Sequence, residues 1–123
     1  MSNLYTNSKV VAGIETAQIL LDIKAVNFRP EKPYILTAGW ASPVYIDCRW
    51  VISFPEARKR IIKLAVDKLD CEIGFSNIDI VAGGETAGIP YSAWIADAQS
   101  KPMLYVRKKP KGFGRNAQIE GTF

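Results

Sequence analysis

Residues able to hold an anion are concentrated in Ile78-Asp-Ile-Val-Ala-Gly-Gly-Glu-Thr-Ala-Gly-Ile-Pro90. The β-branched Ile78, Ile80 and Val81 read as a strand, Gly83-Gly84 interrupts it, and an apolar helical pattern resumes through Ile89, Tyr91, Ala93, Trp94 and Ile95. Such a turn leaves main-chain N–H groups at a helix start, where the macrodipole also attracts negative charge. Glycine lets a phosphate reach the main chain with no Cβ in the way. Downstream lies a second unusual stretch, Arg107-Lys108-Lys109-Pro110-Lys111-Gly112-Phe113-Gly114-Arg115, basic and glycine-rich. Either alone has a plain explanation, a tight βα connection or a solvated loop. Their succession, with a second strand between them, points to an anion cradle followed by a mobile cationic flap.

The charge distribution limits the kind of anion. The chain carries 16 basic and 12 acidic residues, a net of +4. The loop 107–115 holds five of the cations and no acid, which leaves 11 basic against 12 acidic elsewhere. A nucleic-acid face would spread cations over a helix or sheet with aromatics interleaved. A local cluster suits a compact polyanion such as a phosphate ester, so no nucleic-acid partner is expected. A small nucleic-acid binder using loop 107–115 is the competing idea, and steep salt-dependent binding would mark it.

The chain has no histidine, which removes Ser/His and Cys/His triads and leaves little material for a zinc site. Acid–base chemistry falls to Lys, Asp, Glu or Tyr. Cys48 and Cys71 lack metal-like spacing, so buried reduced thiols are expected. No apolar run approaches the ~20 residues of a membrane span, and the N-terminus lacks a signal-peptide pattern. A cytoplasmic protein without a membrane partner is the expectation. Its 123 residues suit a single domain with a real core.

Elements that could position these groups follow from periodicity. Val10, Val11, Ile14, Ala17, Leu20 and Leu21 predict a core-packed helix over 9–24, with Ser8 as cap. Asn27, Arg29 and Pro30 break it. Tyr34-Ile35-Leu36 and Val44-Tyr45-Ile46 read as the two arms of a β-hairpin across a seven-residue turn holding Gly39 and Pro43. Trp40 and Tyr45 either pack toward the core, the simpler reading, or grip a flat aromatic ligand. Ser53 and Glu56 form a candidate capping box for a helix running to about Leu69, with Ile61, Ile62, Ala65 and Leu69 inward and Arg58, Lys59, Lys63, Asp67 and Lys68 outward. After the central strand from Ile78 and a helix near 89–99, Pro102–Val106 completes a βαβ unit with parallel pairing. Ligands of open parallel sheets bind beyond the carboxyl ends of the strands. That rule puts the Gly83-Gly84 turn and the Arg107 loop on one edge.

Tyr34–Arg49, the Gly83–Pro90 turn and the Arg-Lys-Lys-Pro-Lys-Gly-Phe-Gly loop together resemble orotate phosphoribosyltransferase, in order and spacing, over nearly the whole chain. The resemblance implies an α/β fold: a phosphoribosyltransferase-like parallel-sheet core under an N-terminal hood made of a helix and a β-hairpin. As a single domain, the hood would take about 1–50 and the first part of the core 51–123. The implied reaction makes orotidine 5′-monophosphate and diphosphate from orotate and phosphoribosyl diphosphate with Mg²⁺. A homodimer sharing the basic loop across subunits is also implied. The substrate-binding positions would be Thr37, Tyr45 and Ile46 in the hood and Gly83, Gly84, Glu85, Thr86 and Ala87 facing the diphosphate. Arg107, Lys108 and Lys111 would be the catalytic-loop residues, Lys111 foremost, with Gly112 and Gly114 as hinges. None of these positions is a metal ligand.

The sequence also departs from the family pattern. Many relatives carry Lys at the position of Thr37, His at that of Phe113, and an aromatic residue and Lys at those of Thr86 and Ala87. Glu85 places an anion near the expected diphosphate, so it needs Mg²⁺ or a basic neighbour between them, or it must point elsewhere. The family's strand ending in two acids, followed by a Thr/Gly loop for the ribose 5-phosphate, does not occur before Phe123. With two parallel strands the core reads as incomplete, and a truncated or split form inactive alone is expected. The alternatives are a phosphoribosyltransferase for another base, and a non-catalytic partner that binds phosphoribosyl ligands.

Overall fold

A computed structural model describes residues 2–122, with side chains described from Lys9 onward. It divides into two compact units, Met1–Lys59 and Arg60–Phe123.

The first unit opens with α1 (Ser2–Asp22). The helix therefore passes through Ser8, which is not its start, and the Ser8 side chain lies outside the described residues. Its apolar residues do not form the expected core either. Val10, Val11 and Ile14 are each more than half exposed, and Leu21 is 47% exposed. Periodicity identified the helix but could not say whether this chain supplies a surface to cover it. Lys24 turns the chain through a positive φ of 59°. The fully buried Ala25 then accepts from the Asp47 amide at 2.9 Å and donates to Leu20 O at 2.9 Å, linking helix and strands.

Strands follow in pairs. β1 (Val26–Phe28) runs antiparallel to β4 (Val44–Ile46), with Asn27 opposite Tyr45. β2 (Tyr34–Ile35) runs antiparallel to β3 (Ala41–Ser42) around a turn in which Leu36 N donates to Trp40 O at 2.8 Å. The strand-like runs at 34 and 44 are real, but they do not pair with each other. Pro43 separates two short ladders, each needing its own partner, and Val26–Phe28 supplies one that the sequence reading had placed in a break. Trp40 is 76% exposed, so it does not pack into a core. Cys48–Ser53 forms a 3-10 helix around the buried Val51.

α2 (Pro55–Glu72) begins after Phe54, so Ser53 closes the 3-10 turn and does not cap the helix. Glu56 pairs with Lys59 Nζ at 3.2 Å. The predicted inward stripe does point inward: Ile62 is buried, and Ile61, Ala65 and Leu69 are half-buried. Lys63–Asp67 and Lys68–Glu72 are i,i+4 pairs on the exposed face, each worth ~0.5 kcal/mol or less. Cys48 and Cys71 are both exposed, contrary to the buried thiols expected.

The second unit carries the parallel pair. β5 (Val81–Gly84), α3 (Gly88–Ala98) and β6 (Met103–Val106) form the expected βαβ unit. Val81 pairs with Met103 and Gly84 with Val106, in parallel. The strand starts at Val81, not Ile78: Phe75–Asn77 takes a 3-10 turn and 78–80 are irregular. It also contains both glycines, so the turn is 85–87. A third strand, β7 (Ile119–Glu120), adds antiparallel to β6. The sheet thus has order β5-β6-β7, with one more strand than the two read from sequence. Leu104, Ala96, Phe75 and Ile62 are buried here, and burying a side chain such as Leu104 stabilises by ~2 kcal/mol. Gly121 lies where a Cβ would sit 2.5 Å from Leu104 Cδ2, with φ +106°. No helix among the described residues is long and apolar enough to cross a membrane.

Candidate anion site and its relatives

The second unit brings the strand-end turn and the basic loop together. Gly83 stands opposite Tyr105 and Gly84 opposite Val106, so both segments leave the sheet at the same edge. The Glu85 amide donates to Val106 O at 2.8 Å, extending the ladder by one residue. That amide is therefore engaged and not open to an anion as the sequence suggested. The Glu85–Thr86 peptide is cis. Thr86 and Ala87 are exposed, and α3 begins with no side-chain cap, which leaves the helix start to a ligand or water.

Gly83 is buried and Gly84 exposed, and the two do different work. A Cβ on Gly83 would collide with Ser92 Oγ and lie 2.5 Å from Gly88 O, whereas one on Gly84 meets nothing within 4 Å. Gly83 allows α3 to press against β5. Gly84 keeps the rim bare.

The loop from β6 to β7 is braced from within. Arg107 N donates to Gln118 O at 2.8 Å, and Gln118 Nε2 donates back to Arg107 O at 3.2 Å. Farther out, Lys111 N donates to Ala117 O at 3.2 Å and Gly112 N to Asn116 Oδ1 at 3.0 Å. Gly112 and Gly114, with positive φ, shape the tip. They lie between the two lysines and β7. Lys108 and Lys111 are exposed, and Lys111 Nζ stands 5.1 Å from the Phe113 ring centroid.

Arg107 is half-buried. Its guanidinium approaches Glu120 Oε1 at 3.9 Å, and its Nε is buried with no hydrogen-bond partner among the described residues. A buried donor without an acceptor costs ~1–3 kcal/mol. Glu85 does not point at open space: its Oε2 accepts from the Lys108 amide at 2.8 Å.

The hood candidates belong to the first unit. Thr37 is exposed in the turn between β2 and β3. Tyr45 and Ile46 are neighbours on β4 and so point to opposite faces; a ring stacked on one side chain meets only main chain of the other. The Tyr45 ring lies 5.4 Å from that of Tyr34, which in turn has the Arg29 guanidinium 4.7 Å from its centroid. Arg49 Nη2 donates to Tyr45 Oη at 3.3 Å and, with Nε, grips both Asp47 oxygens at 2.7 Å. The hydrogen bond from the Arg49 side chain holds the Asp47 carboxyl below its ordinary value. Sequence reasoning gave Asp47, Arg49, Gln118 and Glu120 no role. The Asp-x-Arg spacing was the available signal for the first pair.

No family model matches the chain. It is 53% identical over 121 residues to an orotate phosphoribosyltransferase of Sinorhizobium medicae, covering 98% of this chain and 52% of that protein. Its relatives are orotate phosphoribosyltransferases. The one from Rhizobium johnstonii is 56% identical over 106 residues, covering 86% of this chain and 46% of that protein. Among solved structures, the orotate phosphoribosyltransferase of Aeropyrum pernix superposes with a TM-score of 0.65 at 32% identity, covering 85% of this chain and 56% of that one. The fold is that of the phosphoribosyltransferases, and the resemblance read from the sequence holds. The chain spans about half the length of the curated orotate phosphoribosyltransferases it matches.

Proposed function

We propose that this chain supplies the hood and the diphosphate-facing part of an orotate phosphoribosyltransferase, which transfers phosphoribosyl from phosphoribosyl diphosphate to orotate. The observation that carries this reading is the pairing of Gly84 with Val106, which sets the strand-end turn beside the basic loop. Breaking the ribose–diphosphate bond develops positive charge on the sugar and negative charge on the leaving oxygens. Donors already aimed at those oxygens favour that separation over the ground state. Arg107 and the exposed Lys108 and Lys111 supply the positive charge that would hold the leaving diphosphate. Lys108 or Lys111 would also be a proton donor to it. Gly83–Ala87 would face the same group from the sheet, and Thr37, Tyr45 and Ile46 the pyrimidine.

Mg²⁺ fits this donor set in one way. The described residues contain no group of three His, Cys, Asp or Glu able to hold a metal alone. Mg²⁺ is ordinarily carried largely by substrate phosphates and would arrive on the diphosphate here, because the Glu85 carboxylate is already taken by the Lys108 amide. Bound there, the ion would neutralise charge on the diphosphate. A cytoplasmic homodimer with loop 107–115 shared between copies completes the reading, and sedimentation would test the dimer.

The test is loss of orotate ultraviolet absorbance when phosphoribosyl diphosphate and Mg²⁺ are added to the chain. A second reading is a partner that binds phosphoribosyl ligands without turnover. Calorimetric binding of phosphoribosyl diphosphate with unchanged orotate absorbance would select it. Absence of both would remove the function.

A further inference from the structure

We propose that Glu85 is a positioning residue that latches the leading stem of the basic loop to the end of β5. The inference rests on the reading above only for what the loop finally holds; the latch itself stands on geometry. Glu85 is fixed at both ends. Its amide is bound in the ladder to Val106 O, and its carboxylate accepts from the Lys108 amide, each at 2.8 Å. The bond joins residues 23 apart in sequence, just where the chain leaves β6.

Its importance follows from how the loop is built. Cross-bonds at Arg107–Gln118, Lys111–Ala117 and Gly112–Asn116 make the segment a braced body. A braced body moves about its stems, not at its tip glycines. Glu85 holds the leading stem through Lys108, so the main chain there stays with the sheet. An anionic side chain at a diphosphate-facing rim is otherwise unfavourable, because like charge repels the ligand. The carboxylate is retained here as an acceptor turned toward the loop.

Glu85→Gln and Glu85→Ala separate the two properties. Glutamine keeps a carbonyl oxygen for the Lys108 amide and loses the charge; alanine loses both. The latch predicts that the Lys108 amide exchanges about tenfold faster in Glu85→Ala than in the parent or Glu85→Gln. Trypsin should cut after Arg107 and Lys108 correspondingly faster in the alanine variant alone, with unchanged urea midpoints showing that the fold survives. Inorganic diphosphate with Mg²⁺ should bind Glu85→Gln at least as tightly as the parent and Glu85→Ala several-fold more weakly. Equal exchange in all three proteins overturns the latch. Where diphosphate binds, equal affinity of the two variants also overturns it, leaving charge as the only role of Glu85. If the exchange pattern appears but no form binds diphosphate, the latch is upheld and the phosphoribosyl reading fails instead.

Discussion

Gly83, at the end of β5, lies against the hydroxyl of Ser92 on α3, so closely that a methyl group on Gly83 would collide with Oγ. Ser92 is itself only 4% exposed and is anchored by donating to Ile89 O at 2.9 Å, so it has little room to move away. Gly83→Ala should therefore force α3 off the sheet and destabilise the second unit by about 1–3 kcal/mol. Gly84→Ala, with open space around it, should change stability by no more than ~0.5 kcal/mol while still weakening diphosphate binding. Urea midpoints for the two variants check the contrast. A similar loss of stability for both would mean that the neighbouring glycines are not divided between packing and approach.

That division was not legible in the sequence, where the two glycines look alike. The βαβ unit was legible, because β-branched and helical periodicities each leave a clear trace and a parallel crossover has one favoured hand. The edge shared by the turn and the basic loop followed from it. Pairing of the short strands did not: Val26–Phe28 and Ile119–Glu120 are too brief to show alternation, and their partners are set by tertiary contact. The fate of α1 was hidden for another reason, since an apolar stripe records a need for cover and not what supplies it. Glu85 looked like a charge misplaced near an anion. Only the Lys108 amide, distant in sequence, shows what it does.

Gly121 gives a second backbone test, this time at the return of the basic loop. Its φ of +106° disfavours any side chain, and a Cβ would meet Leu104 Cδ2 at 2.5 Å and Met103 O at 3.1 Å. Gly121→Ala should loosen β7 from β6 and cost more than 1 kcal/mol. Faster amide exchange at Arg107, whose N–H bonds to Gln118 O beside β7, would report the loss locally.

Lys111 is exposed, and its side chain rests near the Phe113 ring, an arrangement worth ~0.5–1 kcal/mol at such a site. Lys111→Ala should change stability by no more than ~1 kcal/mol, read from urea unfolding. Removing one charged donor from a bound diphosphate costs ~1.5–3 kcal/mol, so affinity should fall about tenfold to a hundredfold, read by calorimetry. Turnover, in a form that turns over, should fall at least as far. Unchanged orotidine monophosphate formation in this variant would remove Lys111 from the catalytic role.

Asp47 offers a pH signature confined to the first unit. Hydrogen bonding from Arg49 holds its carboxyl below the ordinary 3.8 in the folded chain, while the unfolded chain returns it to that value. The unfolded state therefore binds the proton more readily, and stability rises with pH through this window. The contribution is fully present above 3.8 and is lost as pH falls through the lower folded value. Asp47→Asn removes the titration, so its urea midpoint should fall less steeply with acidification than the parent's, and the two curves should converge at low pH. The same variant frees Arg49 from its carboxylate, and with it the hold on the Tyr45 hydroxyl. Parallel curves for parent and variant through and below pH 3.8 would show that the Asp47–Arg49 pair has no linkage to folding.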